Sequence, residues 1–242
     1  MNPSAHFPIG IFDSGLGGLT ILEALRHRLP EEDFIYFADT RHLPYGDKAA
    51  SFIQARAETI ATALLAEGAK AIVIACNTAT AAAAERLRAF IAQPVIALEP
   101  AVKPAVAQSR RGIVGVLATT RTLASERFSR LLAAHARDAR VLTQACPGLA
   151  EAIEAEGPHS GTVENLLDLY VHPLAQAGVD VVVLGCTHYP WVRPEIAARL
   201  PGGIKIVDSG EAVARQVEFR LTRESHLGGS GKMRLATSGD AR

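Results

Sequence analysis

A chain of 242 residues can bury a sizeable core, and its length fits one large α/β domain or two small ones. With 48% apolar and 21% charged residues the composition is that of a soluble globular protein and excludes a disordered chain. Twenty-five basic residues balance twenty-five acidic ones, so no net field attracts nucleic acid or an anionic membrane, and neither is expected as a partner.

The longest apolar runs, such as Ala69 to Ala75 and Val179 to Leu184, fall far short of the ~20 residues of a spanning helix. Met1 to Pro8 lacks the basic segment, apolar run and cleavage site of a secretory signal, so the cytoplasm is the expected location. Three cysteines without a CxxC pair, and no His-rich spacing, argue against a disulfide framework or a metal site.

In chain order, four short β-type runs are predicted first: Pro8 to Phe12, Asp33 to Ala38, Ala71 to Ala75 and Val95 to Leu98. Between them Leu19 to Arg28, Phe52 to Glu67 and Thr78 to Ala92 have the one-sided apolar pattern of crossover helices, which predicts a parallel sheet. After Pro104 a second series follows, with strands at Gly112 to Ala118, Arg140 to Ala145, Val179 to Leu184 and Lys205 to Val207. Its helices are predicted at Thr122 to Ala136 and Val163 to Ala177. The stretch Pro94 to Pro104 is the best candidate for a first crossing between halves. From Leu227 onward the Gly-rich tail is expected to fray.

One design occurs twice. Ala71-Ile-Val-Ile-Ala75 leads into Cys76-Asn77-Thr78, and Val181-Val-Val-Leu184 leads through Gly185 into Cys186-Thr187-His188, 110 residues further on. Two related α/β halves facing each other, with one cysteine apiece, are therefore expected. In open α/β sheets ligands collect beyond the carboxyl ends of the strands. A helix N-terminus there favours anions and can shift a thiol towards thiolate, so each cysteine is a candidate base. Either one alone would read as a small buried hydrophobe. The pair reads differently, because both are followed by hydrogen-bonding residues. Cys146, followed by Pro147, reads as structural.

The loop Phe12-Asp-Ser-Gly-Leu-Gly-Gly-Leu19 lacks the lysine of a phosphate loop and the dinucleotide spacing, so Gly15, Gly17 and Gly18 read as tight-turn residues. Asp13 and Ser14 could bind an ammonium, orient a thiol, or simply cap the helix. Pro44 and Gly46 fix a turn around Tyr45 in a loop able to close over a small ligand. His188 is a candidate general acid or thiol partner.

Together IGIFDSGLGGLT, YFADTRHLPYGDK, VIACNTAT, VIALEPAVKPA and LGCTHYP, in this order from about Ile9 to Ser209, resemble the glutamate racemases of the cofactor-independent two-cysteine aspartate/glutamate racemase superfamily. The resemblance implies two pseudo-symmetric three-layer α/β/α domains with mostly parallel sheets. Residues 1–97 with 208–242 would form the first and 98–207 the second, with the active site in the cleft between them. It implies that Cys76 and Cys186 are the two acid/bases, assisted by Asp13 and His188 respectively, with Cys76 acting on the D-form and Cys186 on the L-form. Ser14, Tyr45, Gly46, Asn77, Thr78 and Thr187 would line the substrate site with Asp13 and His188. Thr119 and Thr122 would contact the substrate, and Glu154 would lie near the second cysteine. No cofactor is implied, the substrate is glutamate, and the D-isomer would feed peptidoglycan synthesis. A homodimer is left open. Family members usually continue past a Thr-Gly-Asp stretch into a last helix, whereas this chain stops after Thr237-Ser-Gly-Asp240, so its tail reads as truncated.

Three alternatives stand beside this one: a racemase for aspartate or another amino acid, a silent ligand-binding protein of the same fold, and a cysteine hydrolase. The last leaves one of the matched cysteines unexplained.

Overall fold

The computed structural model describes residues 6–224 and 226–240. The chain divides into two compact units, one running up to Leu98 and resuming at Gly210, the other comprising Glu99–Ser209.

In the first unit a five-stranded sheet has the order β4-β3-β1-β2-β9, formed by β1 (Ile9–Asp13), β2 (Phe34–Ala38), β3 (Ala71–Ile74), β4 (Val95–Ala97) and β9 (Met233–Thr237). Every pairing is parallel among the described residues. The continuous apolar runs of β1 and β3 follow from burial on both faces. On one face Ile9, Ile11, Tyr36 and Val73 pack against α1 (Leu19–Arg28) and α10 (Gly210–Arg223). On the other, Phe12, Ile35, Ile72 and Ile74 pack against α2 (Ala50–Ala66) and α3 (Asn77–Phe90). The result is three layers, α/β/α.

The second unit repeats the plan with sheet order β6-β5-β7-β8, from β5 (Ile113–Ala118), β6 (Arg140–Ala145), β7 (Val181–Gly185) and β8 (Lys205–Val207), again all parallel. Val182 and Leu184 face α7 (Leu149–Glu156), α8 (Gly161–Gln176) and α9 (Arg193–Ala198). Val181 and Val183 face α4 (Val102–Gln108) and α6 (Glu126–His135).

The α/β class with parallel sheets is as expected, and all eight predicted strands form within two residues of their predicted ends. Two expectations are corrected. The helix predicted from Thr122 to Ala136 is two, α5 (Thr120–Leu123) and α6, because the Ser125 hydroxyl accepts from Phe128 N at 3.1 Å and starts a new helix. The tail does not simply fray: residues 233–237 form β9, in register with β2 from Phe34↔Met233 to Ala38↔Thr237. The helices α4, α7, α9 and α10 had no predicted counterpart. Among the described residues no helix is long and apolar enough to cross a membrane.

Candidate active site

The sheet order of the first unit lines up the carboxyl ends of β3, β1 and β2, and with them Cys76, Asp13 and Asp39. Cys76 caps α3: its backbone is extended, at φ −139°, and its Sγ accepts from Ala79 N at 3.4 Å. Ser14 Oγ lies 3.7 Å from the same sulfur. Asp13 is fully buried, its Oδ1 accepting from Ser14 N at 2.7 Å and its Oδ2 from Gly18 N at 2.5 Å. Asp13 is thus both a cap of the loop and a neighbour of the thiol, two roles that the residue pattern had left as alternatives. Gly18 is needed for close approach and not for a left-handed turn. Its φ is −64°, and a Cβ would lie 2.7 Å from Asp13 Cβ.

The expected shift of Cys76 towards thiolate is reversed. Burial pushes the thiol well above its ordinary value and the Asp13 charge pushes the same way, outweighing the donors Ala79 N–H and Ser14. Cys76 is thus held as the thiol, beside the Asp13 carboxylate. Beside it Asn77 is 5% exposed, and its Oδ1 has no hydrogen-bond partner among the described residues. An unmet buried acceptor costs roughly 1–3 kcal/mol, and a ligand donor there recovers it. Thr78 is also buried.

Tyr45 is buried in the same cluster as Cys76, and Gly46 beside it is half-buried. Tyr45 Oη donates to Asp39 Oδ2 at 2.6 Å; Arg56 donates to both Asp39 oxygens, at 3.0 and 2.8 Å, and His42 Nδ1 lies 3.0 Å from Oδ1. Burial raises the Asp39 pKa, but these partners together with Ser238 prevail and hold it at about 2. Asp39 and Arg56 were given no role from sequence. The available signal was an acidic residue directly after β2, one position beyond the register point at which Asp13 ends β1.

In the second unit β7 delivers Cys186, Thr187 and His188, all buried. His188 Nδ1 is 3.8 Å from Cys186 Sγ, and its Nε2 is hydrogen-bonded to Glu154 Oε2 from α7. Cys186, His188 and Glu154 thus form a continuous relay. The imidazole is oriented at both nitrogens, with the edge of Trp191 against its ring. Thr119, at the end of β5, donates to Thr122 Oγ1 at 2.9 Å and accepts from Thr122 N at 3.3 Å, which caps α5. Thr122 is buried and Thr119 half-buried. Cys146 shares a core cluster with Cys186, donates to Gln144 O at 3.4 Å, and is pushed up to about 12, chiefly by burial.

Each of the two α/β units presents one cysteine beside a group able to exchange protons, at the carboxyl ends of parallel strands, the arrangement of an acid–base enzyme. The model of the Asp/Glu/hydantoin racemase family matches residues 20–217, and the chain belongs to that family. It is 53% identical over 221 residues to a glutamate racemase of Pseudomonas paraeruginosa (strain DSM 24068 / PA7), covering 91% of this chain and 83% of that one. Among solved structures it resembles the glutamate racemase isoform RacE1 of Bacillus anthracis, with TM-score 0.89, 30% identity, and 98% and 90% of the two chains covered. It also resembles the glutamate racemase of Francisella tularensis subsp. tularensis SCHU S4 in complex with D-glutamate, with TM-score 0.85, 31% identity, and 98% and 89% coverage.

Proposed function

We propose that this racemase interconverts L- and D-glutamate by moving protons at the α-carbon between Cys76 and Cys186. What supports this most is that each thiol has its own carboxylate-backed partner, Asp13 for Cys76 and His188 with Glu154 for Cys186. An isolated buried cysteine needs neither.

The α-hydrogen of an amino acid is very weakly acidic, so its removal demands stabilisation of a carbanion-like transition state. Starting from D-glutamate, Asp13 takes the Cys76 proton, the thiolate removes the α-hydrogen, and the Cys186 thiol delivers a proton to the opposite face. In the other direction His188 Nδ1 takes the Cys186 proton while Glu154 accepts Nε2–H and stabilises the imidazolium. The substrate ammonium donates to Asn77 Oδ1 and offsets developing negative charge. Ser14, Tyr45, Gly46, Thr78, Thr119, Thr122 and Thr187 hold the remaining polar groups of the substrate. Glutamate as the substrate is supported by the resemblance to proteins of that name, one of them holding D-glutamate. Chemistry by two free thiols suits a reducing compartment, the cytoplasm, where D-glutamate would enter peptidoglycan synthesis.

Circular dichroism of L- and D-glutamate in separate cuvettes tests this. Both signals should decay to zero with wild type and fall by at least about a thousandfold in rate for Cys76→Ser and Cys186→Ser, with Cys146→Ser near normal. Unchanged signals with folded wild type would reject glutamate. Decay of aspartate instead would reassign the substrate.

A further inference from the structure

β9 contributes little to the core. Met233 and Leu235 are half-exposed, and the strand runs exposed up to Ala236, so it adds little hydrophobic stabilisation. Its entry is tied to Asp33, which accepts from Ser230 N at 2.9 Å and Lys232 N at 2.8 Å. Its exit carries a dense set of polar contacts to the residues that follow β2. Thr237 Oγ1 and Thr40 Oγ1 are 2.6 Å apart, Ser238 N donates to Ala38 O at 3.0 Å, and Arg41 N donates to Ser238 Oγ at 3.2 Å. The Ser238 hydroxyl also bonds the Asp39 carboxylate. Gly239 passes so close to Thr40 that a Cβ would lie 2.5 Å from its Oγ1.

Asp39 is the hub of this arrangement. Fully buried, it receives Tyr45 Oη and two Arg56 nitrogens, and its backbone N–H bonds Asp13 O at 2.9 Å. A contact at the end of β9 is therefore two hydrogen bonds from Tyr45, which packs beside Cys76.

We propose that the Thr237–Gly239 turn is a positioning element for the active site, holding the Tyr45–Gly46 loop through Thr40 and Asp39, with Asp39 and Ser238 as positioning residues. The proposal rests on Tyr45 and Gly46 meeting the substrate, as set out above. A carboxylate saturated by four side chains is rigid, so removing one outer tie loosens the loop without touching substrate contacts.

The test uses the full chain with Thr237→Val and Ser238→Ala combined, Gly239→Ala, and Ser238→Thr as the conservative rescue. Hydrogen exchange of residues 39–48, read by mass spectrometry, should quicken in the first two variants while β1 and β3 stay protected. KM for glutamate should rise about tenfold with kcat within about threefold of wild type, and Ser238→Thr should match wild type in both readouts. Unchanged exchange overturns the proposal, and so does faster exchange with KM unmoved. If wild type left glutamate untouched, the glutamate assignment would fall on that result. Exchange would still decide whether the turn holds the loop.

Discussion

Cys76 and Cys186 leave equivalent strands of two similar sheets, yet they are equipped differently. Cys76 faces a carboxylate and a hydroxyl within one loop, Asp13 and Ser14, and burial with the Asp13 charge keeps it protonated. Cys186 faces an imidazole whose far nitrogen is held by a carboxylate from another element, Glu154 on α7. A carboxylate that takes the thiol's proton becomes neutral and leaves the thiolate with no counter-charge beside it, whereas an imidazole that takes the proton becomes a neighbouring cation. On the proposed function the same task is met by two electrostatic solutions, and Cys146, bonded to Gln144 O and Tyr189 with neither a carboxylate nor an imidazole against it among the described residues, shows what a merely packed thiol looks like in this fold.

The largest expected effect that would break this comparison comes from His188→Asn, which removes the relay base. We expect kcat/KM to fall by about a hundredfold or more. Because the equilibrium constant between enantiomers is one, kcat/KM must fall alike in both directions. Polarimetric progress curves from each isomer check this, and a variant within threefold of wild type would remove His188 from the chemistry. Glu154→Gln keeps the imidazole but loses the charge behind it, and an effect of about tenfold is expected, with a changed pH profile of kcat/KM in place of total loss.

Asp13→Asn sharpens the other half. Asp13 raises the Cys76 pKa, so removing its charge lowers that pKa and increases the thiolate fraction. Iodoacetamide should alkylate Cys76 severalfold faster in the variant at pH 8, even as racemisation falls. Slower alkylation would contradict the sign.

A smaller effect concerns stability. The Asp39 pKa is held at about 2, below its unfolded value, so its contribution is fully present above roughly pH 4 and is lost as pH falls through about 2. The shift corresponds to about 2 kcal/mol, and Asp39→Asn should flatten the acid limb of stability between pH 4 and 2 by that amount in urea titrations. An unaltered limb would mean that the Arg56 and Tyr45 contacts do not persist in solution.

Much of this was legible in the sequence because parallel strands buried on both faces read as unbroken apolar runs, and Ala71–Ile74 leading into Cys76-Asn77-Thr78 is such a run. The placement of Cys76 after β3 and of Cys186 after β7 was legible for the same reason. β9 was not, since Met233–Thr237 is held by backbone ladder bonds to β2 and by Thr237 and Ser238, while its exposed side chains leave no burial pattern. The Asp39 hub was hidden because its partners come from positions 42, 45, 56 and 238, a set that only the fold brings together. The direction of the Cys76 shift was misjudged because a helix N-terminus can be read from sequence, whereas burial and a neighbouring buried carboxylate cannot.

The central claim is that two bases act on one carbon, and isotope exchange from solvent tests it most directly. With D-glutamate in D2O, early in the reaction, deuterium should appear at the α-carbon of the L-product and be almost absent from the remaining D-substrate. One thiolate removes hydrogen, and the other thiol, already exchanged with solvent, delivers deuterium. Deuterium entering recovered substrate as fast as product would point to a single base and contradict the assignment of Cys76 and Cys186 to opposite faces.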